Sequence, residues 1–152
     1  MSKADTIAAA IATRLQTIRI ANGYATDAGA AVYRGRTSFD AADVPCITIA
    51  EPEDEIEEQR DHPDGDGADL IARLPFTIEA FAACNPDAPN VAGHQLVADI
   101  KRAIFSADIT LGGLAVTLRY LGRTIAPREP GARIVTVAVK IRVGYTENLA
   151  AP

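Results

Sequence analysis

Every second residue from Val135 to Tyr145 is apolar: Val135, Val137, Val139, Ile141, Val143 and Tyr145 alternate with Thr136, Lys140 and Arg142. An alternation this long sends one set of side chains into a core and the other toward a polar surrounding, which is the period of a β-strand and not of a helix. Leu70, Ala72, Leu74, Phe76, Ile78, Ala80 and Ala82 repeat the pattern against Arg73, Thr77 and Glu79 and predict a second long strand. Pro75 removes one ladder donor from its middle, so this strand is expected at a sheet edge or to carry a bulge there. Leu114, Val116, Leu118 and Tyr120, alternating with Thr117 and Arg119, predict a third strand, joined to the last by a loop over residues 122–132. Two shorter strands are read at residues 30–34 and 45–50, separated by a loop at 35–43, with Ile47 and Ile49 pointing one way.

Two stretches follow the other period. Ile7, Ile11, Leu15 and Ile18 fall on one face of a helix expected over residues 4–21. Asp5 suits its positive end, and Asn22-Gly23 stops it. Asn85-Pro-Asp-Ala-Pro-Asn90 is a turn and helix-start signal, and Leu96, Val97, Ile100 and Ile104 continue it as a helix over 88–105 that ends near Lys101 and Arg102. The order α-β-β-β-α-β-β lacks the regular strand–helix–strand repeat of a doubly wound sheet. It predicts an α+β fold, a mostly antiparallel sheet with two helices packed on one face. At 152 residues one domain, 1–152, is expected, with residues 51–69 as an acidic loop or strand extension.

Charge narrows the function. The net charge is −5, and the chain has four Phe, four Tyr and no Trp. A protein that grips phosphates normally carries a basic excess, and one that stacks unpaired bases needs aromatic platforms, so neither kind of tight nucleic-acid binding is expected. The apolar stretch near the start is short, Ala-rich and broken by Arg14, unlike a signal peptide or a membrane span, so a soluble chain made in the cytoplasm with no membrane partner is expected. Cys46 and Cys84 form no CxxC pair and are expected to be buried, reduced thiols.

Few arrangements suggest catalysis. Asp64-Gly65-Asp66-Gly67, near Asp61, His62 and Asp69, imitates a calcium loop, but the place of the bidentate Glu is held by Arg73. His94 has Asn90 and Ala98 four residues to either side, so no two-ligand helical face exists. Ser38 and Ser106 lie in no GxSxG elbow. No metal site, cofactor or catalytic residue is expected, and the alternative is a small acidic-loop metal-dependent enzyme or a ligand-binding module. Arg34-Gly35-Arg36 and Gly122-Arg123, with Arg128 further on, set guanidinium groups on loops at strand ends, where they either meet the carboxylates of a partner or are solvated.

The charges are also unevenly spread. Residues 1–100 carry seven bases and seventeen acids, a net of −10, and residues 101–152 carry eight bases and three acids, a net of +5. Ten of the acids lie between Glu51 and Asp69. Either the two halves balance within one molecule, or the acidic part of one copy meets the basic part of the next, a head-to-tail contact that closes rings or extends filaments.

Over most of its length the chain resembles the tail terminator, or tail completion, proteins of long-tailed bacteriophages, similar to the minor tail protein U family. The resemblance is carried by Ile7-Ala-Ala-Ala-Ile11 with Leu15, by Val32-Tyr-Arg-Gly-Arg36, and by residues 85–90 leading into Leu96-Val-Ala-Asp-Ile-Lys-Arg-Ala-Ile-Phe105. Leu111-Gly-Gly-Leu-Ala-Val116, Tyr120-Leu-Gly-Arg-Thr-Ile-Ala-Pro-Arg-Glu-Pro130 and the closing strand from Val139 to Glu147 complete it. It implies a structural virion subunit, commonly a hexameric ring, that caps the head-proximal end of the tail tube, stops its polymerisation and offers the head–tail joining surface. The implied partners are further copies of the chain, the tail tube protein and a head–tail connector or neck protein, with genome DNA passing through without tight binding. On this reading the subunit contacts are expected at Arg34, Arg36, Arg119, Arg123 and Arg128. Glu53, Glu55, Glu57 and Glu58 border the channel, where carboxylates repel phosphates, or else are solvated or meet a neighbour's basic strands.

Overall fold

The computed structural model describes residues 1–126 and 129–152. Two α-helices, α1 (Lys3–Gln16) and α2 (Pro89–Phe105), share one core with a six-stranded sheet of β1 (Val32–Arg34), β2 (Cys46–Ala50), β3 (Glu55–Asp61), β4 (Ala68–Ala83), β5 (Thr117–Ile125) and β6 (Ile134–Asn148). The strands run β1-β2-β4-β6-β5, with β3 beside β4, and every pair is antiparallel except β1 with β2. This is the expected α+β fold. Among the described residues no helix is long and apolar enough to cross a membrane.

The two alternating segments form the centre. β4 and β6 pair without a break from Asp69↔Asn148 to Ala83↔Ile134. Their inward residues, Ile78, Val135, Val137, Val139, Ile141 and Val143, are fully buried under the helices. Pro75 corrects one expectation, since its strand is central. On the side of β4 away from β6, β3 pairs with residues 68–73 and β2 with residues 77–81, so Pro75 falls in the gap between them. There no partner strand asks for the amide that proline lacks.

Other boundaries shift for local reasons. α1 is capped by Ser2, whose Oγ accepts from the Asp5 amide at 3.2 Å, but it ends at Gln16 and not at residue 21. Thr17 Oγ1 donates to the Arg14 carbonyl at 2.7 Å and Asn22 Nδ2 to the Thr17 carbonyl at 2.9 Å, so side chains take up helix-end carbonyls. Ile18 keeps its core position from outside the helix, and a short 3₁₀ turn, Ile20–Asn22, closes on Gly23 at φ 80°. The third predicted strand begins at Thr117, leaves Val116 exposed, and passes a bulge at Leu121 to reach Ile125, inside the segment expected as loop.

The largest correction is β3. Residues 55–61, expected as loop or strand extension, are a strand, so four strands and not three separate the helices. All seven residues are exposed, so burial leaves no period-2 signature in this sequence. Pairing with β4 and contacts to its basic neighbours hold it instead.

Between α2 and β5, Asp108 organises the turn. Its carboxylate accepts from the Thr110 amide at 2.9 Å, the Thr110 hydroxyl at 2.7 Å and the Gly112 amide at 2.8 Å. The Thr110 hydroxyl, then the Thr110 and Gly112 amides, lower its pKa. A carboxylate favoured in the folded state contributes stability above the ordinary carboxylate range and loses it as pH falls through the lowered value. Acid titration followed by amide exchange at residues 110–113 is expected to show this turn opening below the range where free carboxylates titrate. Asp108→Asn should leave the turn open at every pH; protection that is the same in both proteins at neutral pH would refute the role.

Candidate functional site

The charged side chains singled out from the sequence fall into separate groups. Arg34, at the end of β1, is bound inside its own subunit: Nε donates to Glu51 Oε1 at 2.7 Å, and Nη2 to Glu51 Oε2 at 3.0 Å and Asp5 Oδ1 at 2.8 Å. The bond to Glu51 holds its pKa above the usual guanidinium value against the opposing effect of burial, and the weaker effect of the bond to Asp5 adds to it. It straps the sheet edge to the start of α1. Arg36 lies over the Tyr33 ring at 4.4 Å and 3.6 Å from Asp43.

Arg119 and Arg123 both lie on β5, an edge strand, but at different register positions. Arg119 is opposite Arg142 of β6, on the sheet face turned away from the helices, whereas the bulge brings Arg123 opposite the buried Val139. Among the described residues neither arginine forms an ion pair. Arg128 lies outside the described residues.

The four glutamates expected to border a channel divide as well. Glu55 takes a hydrogen bond from Arg142 at 3.0 Å, and Glu57 pairs with Arg73. Glu58 pairs with Arg60 on its own strand at 2.8 Å, and Glu53 is exposed before β3. The basic partners Arg73 and Arg142 were in view as polar positions of alternating strands. Their role depends on register: Arg73 and Thr117 both lie opposite Gly144, and Arg142 lies opposite both Pro75 and Arg119. Arg73, Thr117, Arg119 and Arg142 thereby line one depression of about 290 Å³ on the open sheet face. Tyr145 is a second contact the sequence did not announce. Its hydroxyl, 3.4 Å from Asp54 Oδ2, is held protonated well above the usual tyrosine range by burial and then by the charge of Asp54.

The residues weighed for catalysis or metal binding stand apart. His62 Nε2 lies 3.3 Å from Asp69, His94 is exposed on α2, and Ser38 and Ser106 are exposed. Cys46 is buried, which pushes its thiol pKa up, and Cys84 is half-buried with its sulfur 3.9 Å from the Ala132 carbonyl. Among the described residues no group of three or more His, Cys, Asp or Glu side chains could hold a metal ion.

No protein-family model and no curated protein matches this sequence. Among solved structures, a chain from the virion of a native gene transfer agent particle superposes with a TM-score of 0.56. It covers 91% of this chain and 93% of that one at 17% identity. The two share a fold over nearly their whole lengths.

Proposed function

We propose that this protein is a structural virion subunit that forms a ring at the head-proximal end of a phage tail tube, ends tube polymerisation and presents the surface that joins tail to head. The observation that carries the reading is the shared fold with a chain of a gene transfer agent virion, which spans nearly all of both molecules. The sequence pattern that resembles tail terminator proteins supports the finer assignment. The reading gives the protein no catalytic residue and no cofactor. Its partners are further copies of itself, the tail tube protein and a connector or neck protein.

Within such a ring, Arg36, Arg119 and Arg123 are the proposed subunit contacts, and Arg128 stands with them by sequence. Arg34 already has two carboxylates of its own and serves the ring by fixing β1. The acidic segment borders the channel. With Glu55 and Glu57 turned across the sheet to Arg142 and Arg73, and Glu58 paired only with Arg60 of its own exposed strand, Glu53 and Glu58 are the groups proposed to face passing DNA.

The test is to assemble tails with and without the protein and to image them. Tubes of uncontrolled length are expected without it, and tubes of one length that join heads with it; controlled length in its absence would refute the assignment. In the same system Glu53→Lys with Glu58→Lys is expected to leave assembly intact and slow DNA ejection, because each added cation in contact with a phosphate gains counterion-release affinity. Ejection at the normal rate would refute the channel position.

A further inference from the structure

The depression on the open sheet face holds an unbalanced charge. Arg73, Arg119 and Arg142 converge on it, and Arg119 sits directly opposite Arg142 in the β5–β6 ladder. Like charges placed directly across a sheet repel unless something neutralises them. Glu57 answers Arg73 and Glu55 answers Arg142, but among the described residues no carboxylate answers Arg119. The five groups leave one positive charge. The position between Arg73 and Thr117 is Gly144, where a Cβ would lie 2.5 Å from Thr117 Oγ1, so the floor stays open.

An excess of one charge fits a single carboxylate better than a polyphosphate, because Glu55 and Glu57 at the rim would repel the phosphates on either side of the first. Suitable carboxylates lie on the same chain. The turn between β3 and β4 exposes Asp64 and Asp66, and among the described residues neither is in an ion pair. That turn lies by Asn148 and Ala150, near the far end of β6, with Gly67 against both. Asn148 lies six residue steps along β6 from Arg142, about 20 Å at strand rise, so the turn does not reach the depression of its own molecule.

We infer that the depression lined by Arg73, Arg119 and Arg142 receives the carboxylate of Asp64 or Asp66 from the β3–β4 turn of a second copy of the chain. The donor turn and the receiving depression lie apart on one subunit, so the contact is head-to-tail, as a ring requires. The inference rests on the ring reading and names the residues that would join adjacent subunits.

The test is self-association by sedimentation velocity over a range of concentrations, with circular dichroism to verify folding. Arg119→Glu, and separately Asp64→Lys with Asp66→Lys, are each expected to weaken association roughly tenfold or more while the subunit stays folded. All three changes in one chain are expected to restore association, because the reversed charges meet again across the interface. If Arg119→Glu associates like the unaltered chain, the depression is not the contact, and the ring reading is untouched. If Arg119→Glu dissociates but the turn variant does not, another carboxylate fills the depression and the assignment to the turn is overturned. Binding of a DNA oligonucleotide that depends on Arg119 would overturn the carboxylate assignment. An unaltered chain that stays monomeric even with assembled tail tubes would remove the ring reading itself.

Discussion

Replacing Asp99 with alanine is expected to lower stability by about 2–4 kcal/mol, since buried donors that lose a charged acceptor forfeit more than an ordinary hydrogen bond. Asp99 lies on α2 and is 5% exposed. Its Oδ1 accepts from the Ala25 amide at 3.1 Å, and its Oδ2 from the Thr26 amide at 2.9 Å and the Thr26 hydroxyl at 2.8 Å. One turn further along, Arg102 donates to the Gly23 carbonyl at 2.6 Å and lies 4.5 Å over the Tyr24 ring. The two side chains hold the segment that crosses from α1 toward β1. For a domain of this size the loss corresponds to a fall in Tm of roughly 5–15 °C. Asp99→Asn should lose less, because its amide oxygen still accepts the two Thr26 bonds while its NH2 group faces the Ala25 amide. An alanine variant that melts with the unaltered protein would mean that water satisfies all three donors and that Asp99 holds nothing.

An effect of similar size is expected from one methyl group at Gly29. A Cβ there would lie 2.4 Å from the Leu15 carbonyl oxygen, 2.8 Å from that of Ile18 and 2.9 Å from that of Gln16. All three are backbone atoms at or just beyond the end of α1, and the Gly29 amide itself donates to the Ile18 carbonyl at 3.0 Å. With no flexible side chain to yield, the helix end must separate from the strand lead-in, and Gly29→Ala is expected to cost about 3 kcal/mol or more. Gly93→Ala is the comparison: the nearest atoms its Cβ would meet are side-chain carbons of Ile125 and Val135, at 3.2–3.4 Å. Those can shift, so a loss of about 1 kcal/mol is expected. Denaturant titration of both variants decides the matter, and equal midpoints would show that the α1 end relaxes freely.

The two glycines also mark the limit of sequence reading. Nothing in the neighbourhood of Gly29 singles it out, because the atoms that forbid a side chain belong to residues 15, 16 and 18 and reach it only through the turn that follows α1. The strand β3 was hidden for a different reason. Alternation betrays a strand when one face is buried, and β3 has no buried face. Its acidic composition suggested a solvated loop, although its side chains answer arginines on β4 and β6. The donor that Pro75 lacks predicts a sheet edge or a bulge, whereas the fold meets the same need with a gap beside a central strand.

The arginines of the candidate contact surface tell the same story. Arg34, Arg36, Arg119 and Arg123 were legible as charged groups at strand ends or on an exposed face, yet only the fold separates the satisfied Arg34 from Arg119, which has no carboxylate partner among the described residues. That distinction rests on Glu51, Asp5 and Arg142, which are distant in sequence from one or the other arginine. Local periodicity and counting suffice for the two helices, the core faces of β4 and β6, the α+β class and the division of charge between the two parts of the chain. Which strands adjoin, where β5 slips its register, and which three guanidinium groups share one depression are settled only when the chain packs. Pairing across a sheet joins residues separated by tens of positions, and no local pattern encodes that choice.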